Sequence, residues 1–136
     1  MPKLENTMID RGFTLIELMI AIAILAIIVG IALPAYNNQI EKTRRADGQA
    51  ALLNAAQQLE RCFTTGNSYA GCAFTAASQD GFYTVTRATA TNANTYTLSA
   101  TPQNKQAGDK CGTLTLDHLG RKGHAQGATG CWGGSR

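Results

Sequence analysis

Apolar side chains are unevenly spread along this chain. From Leu18 to Leu33 every residue is apolar or glycine, LMIAIAILAIIVGIAL. With Phe13–Glu17 added, the run before Pro34 is about 21 residues long, and at about 1.5 Å per residue a helix of that length spans roughly 30 Å, the thickness of a bilayer's hydrocarbon core. A buried core helix is a poor alternative, because the rest of the chain is too small and polar to surround it. A secretory signal is a closer rival. Lys3 and Arg11 precede the run, and Gly30-Ile31-Ala32 has the small residues of a cleavage site. Against it, the run exceeds the usual signal core of about 7–15 residues and contains a carboxylate, Glu17. Lys3 and Arg11 favour a cytoplasmic N-terminus, which Lys42, Arg44 and Arg45 beyond the run weaken without reversing.

Beyond Pro34 the periodicity predicts a second stretch of helix, from about Ala35 to Phe63. Leu52, Ala56, Leu59 and Phe63 recur at helical spacing and make one apolar stripe that should cover a sheet. The string EKTRRAD reads as a solvated charge cluster with a weak Glu41–Arg45 pair. Gly66 and Asn67 are helix stop signals. Three strands are expected after it, at 82–89, 95–101 and 111–117, from their alternation of apolar and polar residues. The Thr/Asn stretch 89–95 should turn between the first two. Pro102 to Lys110 reads as a polar loop, Asp117–Gly120 as a turn and GRKGHAQG as an exposed loop, with Trp132 packing near Cys131. The expected fold class is α+β: a long N-terminal helix, transmembrane then amphipathic, on a small antiparallel sheet.

Composition sharpens this picture in two respects. The chain has 136 residues and four cysteines, all beyond the apolar run, and such a small polar body tends to need cross-links. Cys62, Cys72, Cys111 and Cys131 lack CxxC spacing, which favours two disulfides over a metal site. Local loop closure prefers Cys62–Cys72 with Cys111–Cys131, although four cysteines allow three pairings. Beyond Leu33, ten Lys and Arg face six Asp and Glu, a net of +4 that permits contact with nucleic acid without demanding it. Arg121 and Lys122, with Arg87, Lys105, Lys110 and Arg136, are candidates for a DNA-contacting patch. His118 and His124 read as surface polar residues. No convergent nucleophile or acid–base set, phosphate loop or zinc motif is present, so neither an enzyme nor a cofactor is expected.

Gly12-Phe13-Thr14-Leu15-Ile16-Glu17, followed by the apolar run and Pro34, resembles the class III signal of type IV prepilins and pseudopilins. The resemblance is strongest over residues 11–50. It implies cleavage of the Gly12–Phe13 bond by a prepilin peptidase and methylation of the new Phe13 amino terminus. It also implies that Glu17 pairs with that terminus on a neighbouring subunit, which offsets the cost of a carboxylate in lipid. Snorkelling to the headgroups is the plainer alternative for Glu17. Gly30 and Pro34 match the segment that kinks or melts on assembly. EKTRRAD and LERCFT are similar to the PilE-like group of minor pilins, and CGTLTLD…G…CW resembles the end of pilin heads. The implied organisation is a leader 1–12, a transmembrane and assembly helix 13–34, an amphipathic helix half 35–65 and a disulfide-stapled head 66–136. The implied location is the inner membrane, single-pass with a cytoplasmic N-terminus, and then the pilus at the cell surface. The implied partners are other pilin subunits, the peptidase, the inner-membrane pilus assembly platform, the membrane and, as a candidate, DNA. The implied role is a minor subunit for motility, adhesion or DNA uptake. A type II secretion pseudopilin, a major pilin and a DNA-receptor pilin of the competence machinery are the alternatives. A major pseudopilin's acidic calcium loop has only Asp109 and Asp117 to match it here.

Overall fold

The computed structural model describes residues 12–88 and 93–133. The chain divides into two compact units, Met1–Asn37 and Asn38–Arg136. One helix, α1 (Leu15–Gly66), contributes to both. It is continuous through Gly30 and Pro34, the positions tied to a kink or to melting on assembly. Proline removes one hydrogen bond from a helix and crowds the carbonyl four residues back, but the bonds on either side sustain the helix here.

In the first unit every described side chain is exposed. The helix is long and apolar enough to cross a membrane, with a mean hydropathy of 2.9 in an 18-residue window of which none is buried.

The second unit owns the core. Four strands follow the helix: β1 (Tyr83–Arg87), β2 (Thr97–Pro102), β3 (Leu114–Asp117) and β4 (Lys122–His124). They form an antiparallel meander in chain order, with Val85 opposite Ala100, Leu98 opposite Leu116 and Ala100 opposite Leu114. The period of two puts Tyr83, Val85, Leu98, Ala100, Leu114 and Leu116 on one buried face, which joins Leu52, Ala55 and Leu59 of α1 in a single core. Close approach of helix and sheet needs Gly48. A Cβ there would lie 2.7 Å from the Tyr83 ring.

The three expected strands are present but shorter, and the segment expected to be a loop, GRKGHAQG, supplies β4, with Lys122 opposite Leu116 and Gly123 opposite Thr115. Its alternation is invisible in sequence because no apolar side chain marks it. The apolar stripe also differs in detail. Leu52 and Leu59 are fully buried, Ala56 and Phe63 only partly, and the buried face extends instead through Ala51, Gly48 and Arg45. EKTRRAD is therefore not uniformly solvated: Arg45 is 3% exposed. The polar loop after Pro102 holds a short 3-10 turn (Asn104–Gln106), and Gln106 and Asp109 within it are buried. The turn expected over 89–95 lies partly outside the described residues.

Candidate functional site

The N-terminal motif has a defined local geometry. The Thr14 carbonyl accepts the first helical hydrogen bond, from Leu18 N–H at 3.2 Å. The Thr14 hydroxyl accepts from Glu17 N–H at 3.3 Å, while Glu17 Oε2 accepts from Thr14 N–H at 2.9 Å and from the Thr14 hydroxyl at 2.8 Å. This is a capping box, in which the residue before a helix and the residue three places on satisfy each other's orphan groups. Sequence reasoning gave Glu17 a partner on another molecule and missed this internal one, although T-x-x-E ahead of an apolar run is its signature. The box fixes Glu17 at the helix start, a few atoms from the Gly12–Phe13 bond. Phe13 is 93% exposed.

In the head, two disulfides tie the chain to itself. Cys62–Cys72 joins the last turn of α1 to the segment that follows (Cα–Cα 5.9 Å), and Cys111–Cys131 joins the approach to β3 to the C-terminal segment (Cα–Cα 5.7 Å). The head also holds a buried ion pair. Arg45 on α1 donates from Nε to Asp109 Oδ2 at 2.9 Å and from its other fork to Asp109 Oδ1. The Tyr83 hydroxyl donates to the same carboxylate at 3.1 Å. Burial pushes the Asp109 carboxyl up, but the Arg45 hydrogen bonds and charge, with the Tyr83 and Cys111 donors, outweigh it and hold the group below the ordinary carboxylate range. The Tyr83 hydroxyl is pushed up to about 12, chiefly by burial. A second network closes the far end of the sheet, where Tyr69 and Tyr96 both donate to Glu60, at 2.9 and 3.0 Å. Burial, then the Glu60 hydrogen bond and charge, raise both phenols.

The candidate DNA-contacting residues separate by environment. Arg87 is drawn inward and donates to the carbonyls of Tyr69 and Cys72 at 2.9 and 3.4 Å, so its charge is engaged within the head. Arg136 lies outside the described residues. Arg121 and Lys122 are exposed at the turn into β4. The Asp117 carboxylate shapes this turn by accepting from Leu119 N–H (3.0 Å), Arg121 N–H (2.9 Å) and Arg121 Nε (2.6 Å). Lys122 lies 5.4 Å from the centre of the Trp132 ring, and the indole N–H donates to the Gly123 carbonyl at 2.7 Å. Trp132 thus stitches the C-terminal segment to β4 beneath a cation. Lys105 and Lys110 are exposed. His118 meets Tyr96 edge-on and His124 contacts the Gln126 carbonyl. Among the described residues no three His, Cys, Asp or Glu side chains are grouped to hold a metal ion.

A single apolar N-terminal helix whose later turns bury a face against a small antiparallel meander is the architecture of a type IV pilin. A type IV pilin from Shewanella oneidensis superimposes with a TM-score of 0.56 at 34% identity, covering 69% of this chain and 99% of that one. The non-core minor pilin PilV of Neisseria meningitidis, at 20% identity, shares the fold over 68% of this chain and 94% of its own with a TM-score of 0.57. Residues 8–33 match the prokaryotic N-terminal methylation motif. Residues 34–115 match the type IV minor pilin ComP, DNA uptake sequence receptor, and the chain belongs to that family. A fimbrial protein of Moraxella nonliquefaciens is 44% identical over 67 residues, 45% of this chain and 44% of its own length. The type IV major fimbrial protein FimA of Dichelobacter nodosus is 50% identical over 40 residues, 29% of this chain and 25% of its own. The chain thus spans less than half the length of these two relatives.

Proposed function

We propose that this protein is a minor pilin that serves as a DNA receptor on a type IV pilus. The observation that carries the proposal is the joining, in one chain, of a prepilin-type N-terminus to a ComP-family head that holds exposed cations on a braced turn. In this reading a membrane peptidase cuts between Gly12 and Phe13, and Phe13 becomes the methylated first residue. The precursor spans the inner membrane with its leader in the cytoplasm and is passed through the assembly platform into the filament.

Glu17 then has two successive partners. Before assembly the capping box satisfies its carboxylate within the chain. In the filament the new ammonium of a neighbouring Phe13 supplies a full positive charge in a medium with little screening, and subunits dock at the offset that brings the two together. Gly30 and Pro34 mark the stretch that unwinds when the helix leaves the bilayer. The exposed apolar helix packs against its neighbours, and the head contacts DNA phosphates through Arg121 and Lys122, whose attraction weakens with salt.

Sheared surface filaments, separated by mass spectrometry, should contain a scarce chain beginning at methylated Phe13. Glu17→Ala should deplete that chain from filaments while leaving it in the membrane. A mature chain starting beyond Ala32, or one retaining Met1, would overturn the proposal, as would purified protein whose DNA retention ignores salt.

A further inference from the structure

Besides Arg121 and Lys122, the head carries a second group of cations with a built surrounding. A cleft of about 410 Å³ opens between α1 and the C-terminal segment, lined by Lys42, Arg45, Gln49, Lys110, Thr129 and the backbone around Gly130. Its first wall is a helix face, since residues 42, 45, 46 and 49 follow the i, i+3, i+4, i+7 spacing. Its opposite wall is the segment 129–133. The two are tied directly: Gln49 Nε2 donates to the Cys131 carbonyl at 2.7 Å.

Lys110 is held more firmly than a surface lysine normally is. The residue before it, Asp109, is anchored to α1 through Arg45, and the residue after it, Cys111, is bonded to Cys131. A salt bridge and a disulfide on consecutive sides therefore pin its backbone between the two walls. The charges do not cancel. Arg45 is neutralised by Asp109, but Lys42 and Lys110 are exposed and have no ion-pair partner among the described residues, and no acidic side chain lines the cleft. Two unneutralised ammonium groups thus face an open concavity whose floor is fixed in advance.

We propose that this cleft is a second phosphate-binding site, which takes the backbone of the DNA that the head receives. The proposal rests on the DNA-receptor reading above and adds to it a contact distinct from Arg121 and Lys122. Ammonium groups bind phosphate oxygens as point charges, and the hydroxyl of Thr129 and an amide of Gln49 supply neutral hydrogen-bonding groups beside them. The cleft, of about 410 Å³, has room for a phosphodiester with its flanking sugars, and its two cations can neutralise two phosphates. A lone carboxylate from a neighbouring subunit would leave one lysine unneutralised. Preorganisation lowers the ordering cost of binding, because the backbone carrying Lys110 is already fixed.

The test uses the full chain in detergent, with fluorescence anisotropy of a labelled DNA duplex across a potassium chloride series. Each lost phosphate contact reduces the slope of log affinity against log salt by about 0.9, so Lys42→Gln/Lys110→Gln should reduce it by about 1.8. The double arginine variant at the same positions should restore the slope, and all variants should keep the thermal midpoint of the parent. Arg121→Gln/Lys122→Gln should reduce the slope separately and additively. If the parent binds DNA with a salt-dependent affinity and Lys42→Gln/Lys110→Gln leaves the slope unchanged, the cleft takes no phosphate and the DNA-receptor reading stands without it. If the parent shows no salt-dependent binding at all, the receptor reading fails and the cleft proposal with it. If the lysine variant keeps its DNA slope but no longer enters filaments, the cleft receives an acidic group of another subunit and the proposal is wrong.

Discussion

Residues 15–33 of α1 expose every side chain, whereas later turns of the same helix bury Leu52, Ala55 and Leu59 completely. Among the described residues nothing covers the apolar side chains of the first stretch, and a helix that apolar is stable in lipid or against other helices. The second stretch finds its surroundings within the chain, on the buried face of the sheet. Polar groups differ in the same way. Glu17 is satisfied by Thr14, three residues away, while Arg45 is satisfied by Asp109, sixty-four positions along the chain. A substitution in the first stretch should therefore change assembly and leave the head's stability alone, and a substitution in the second should do the reverse.

The largest test of that contrast is Asp109→Ala. It strands the Arg45 guanidinium in a buried site and removes the acceptor of the Tyr83 hydroxyl, and breaking such a pair costs about 3–5 kcal/mol. Denaturant unfolding of the head should show a loss of that size. The parent's acid limb follows from the same group. Its folded pKa is depressed, so its contribution is complete above about pH 4, the unfolded value, and is lost as pH falls through the lower folded one.

A paired glycine comparison gives an intermediate effect. Gly48→Ala drives a methyl into the Tyr83 ring and should destabilise the head by about 1–3 kcal/mol, the usual cost of overpacking. Gly30→Ala meets nothing within 4 Å and should leave the head's unfolding curve unchanged. Equal effects of the two on head stability would dissolve the distinction between the stretches.

The smallest effect lies at alkaline pH. The folded head holds the Tyr83, Tyr96 and Tyr69 protons more tightly than the unfolded chain does. Their contribution is present in full below about pH 10 and is lost as pH rises through the folded values, about 12 for Tyr83. Ultraviolet titration should show phenol ionisation delayed until the head opens. Tyr83→Phe should remove one delayed group while Gln106 and Asp109 lose a shared neighbour.

Much of the architecture was legible because its signals are local. The apolar run, the stop at Gly66 and Asn67, and the alternation around Tyr83, Leu98 and Leu114 each declare an element within a few residues. β4 was not legible, because Lys122-Gly123-His124 pairs through backbone groups that every residue carries. Nor was the fate of EKTRRAD. Lys42, Arg44 and Arg45 look alike in sequence, yet Lys42 lines a cleft, Arg44 lies 4.7 Å from the Phe82 ring centre and Arg45 is buried.

The sequence by itself determined the long apolar helix, its cap, its prepilin-type motif and the alternating strands, since each depends on neighbours within a turn or a strand. Only the tertiary structure decided which cations remain free. A charge is withdrawn from ligands when it is buried against an opposite one, as Arg45 is against Asp109, and stays available when its side chain remains exposed, as Arg121 does beside Asp117. That depends on partners such as Asp109 and Asp117, whose positions are set by the folding of the whole head.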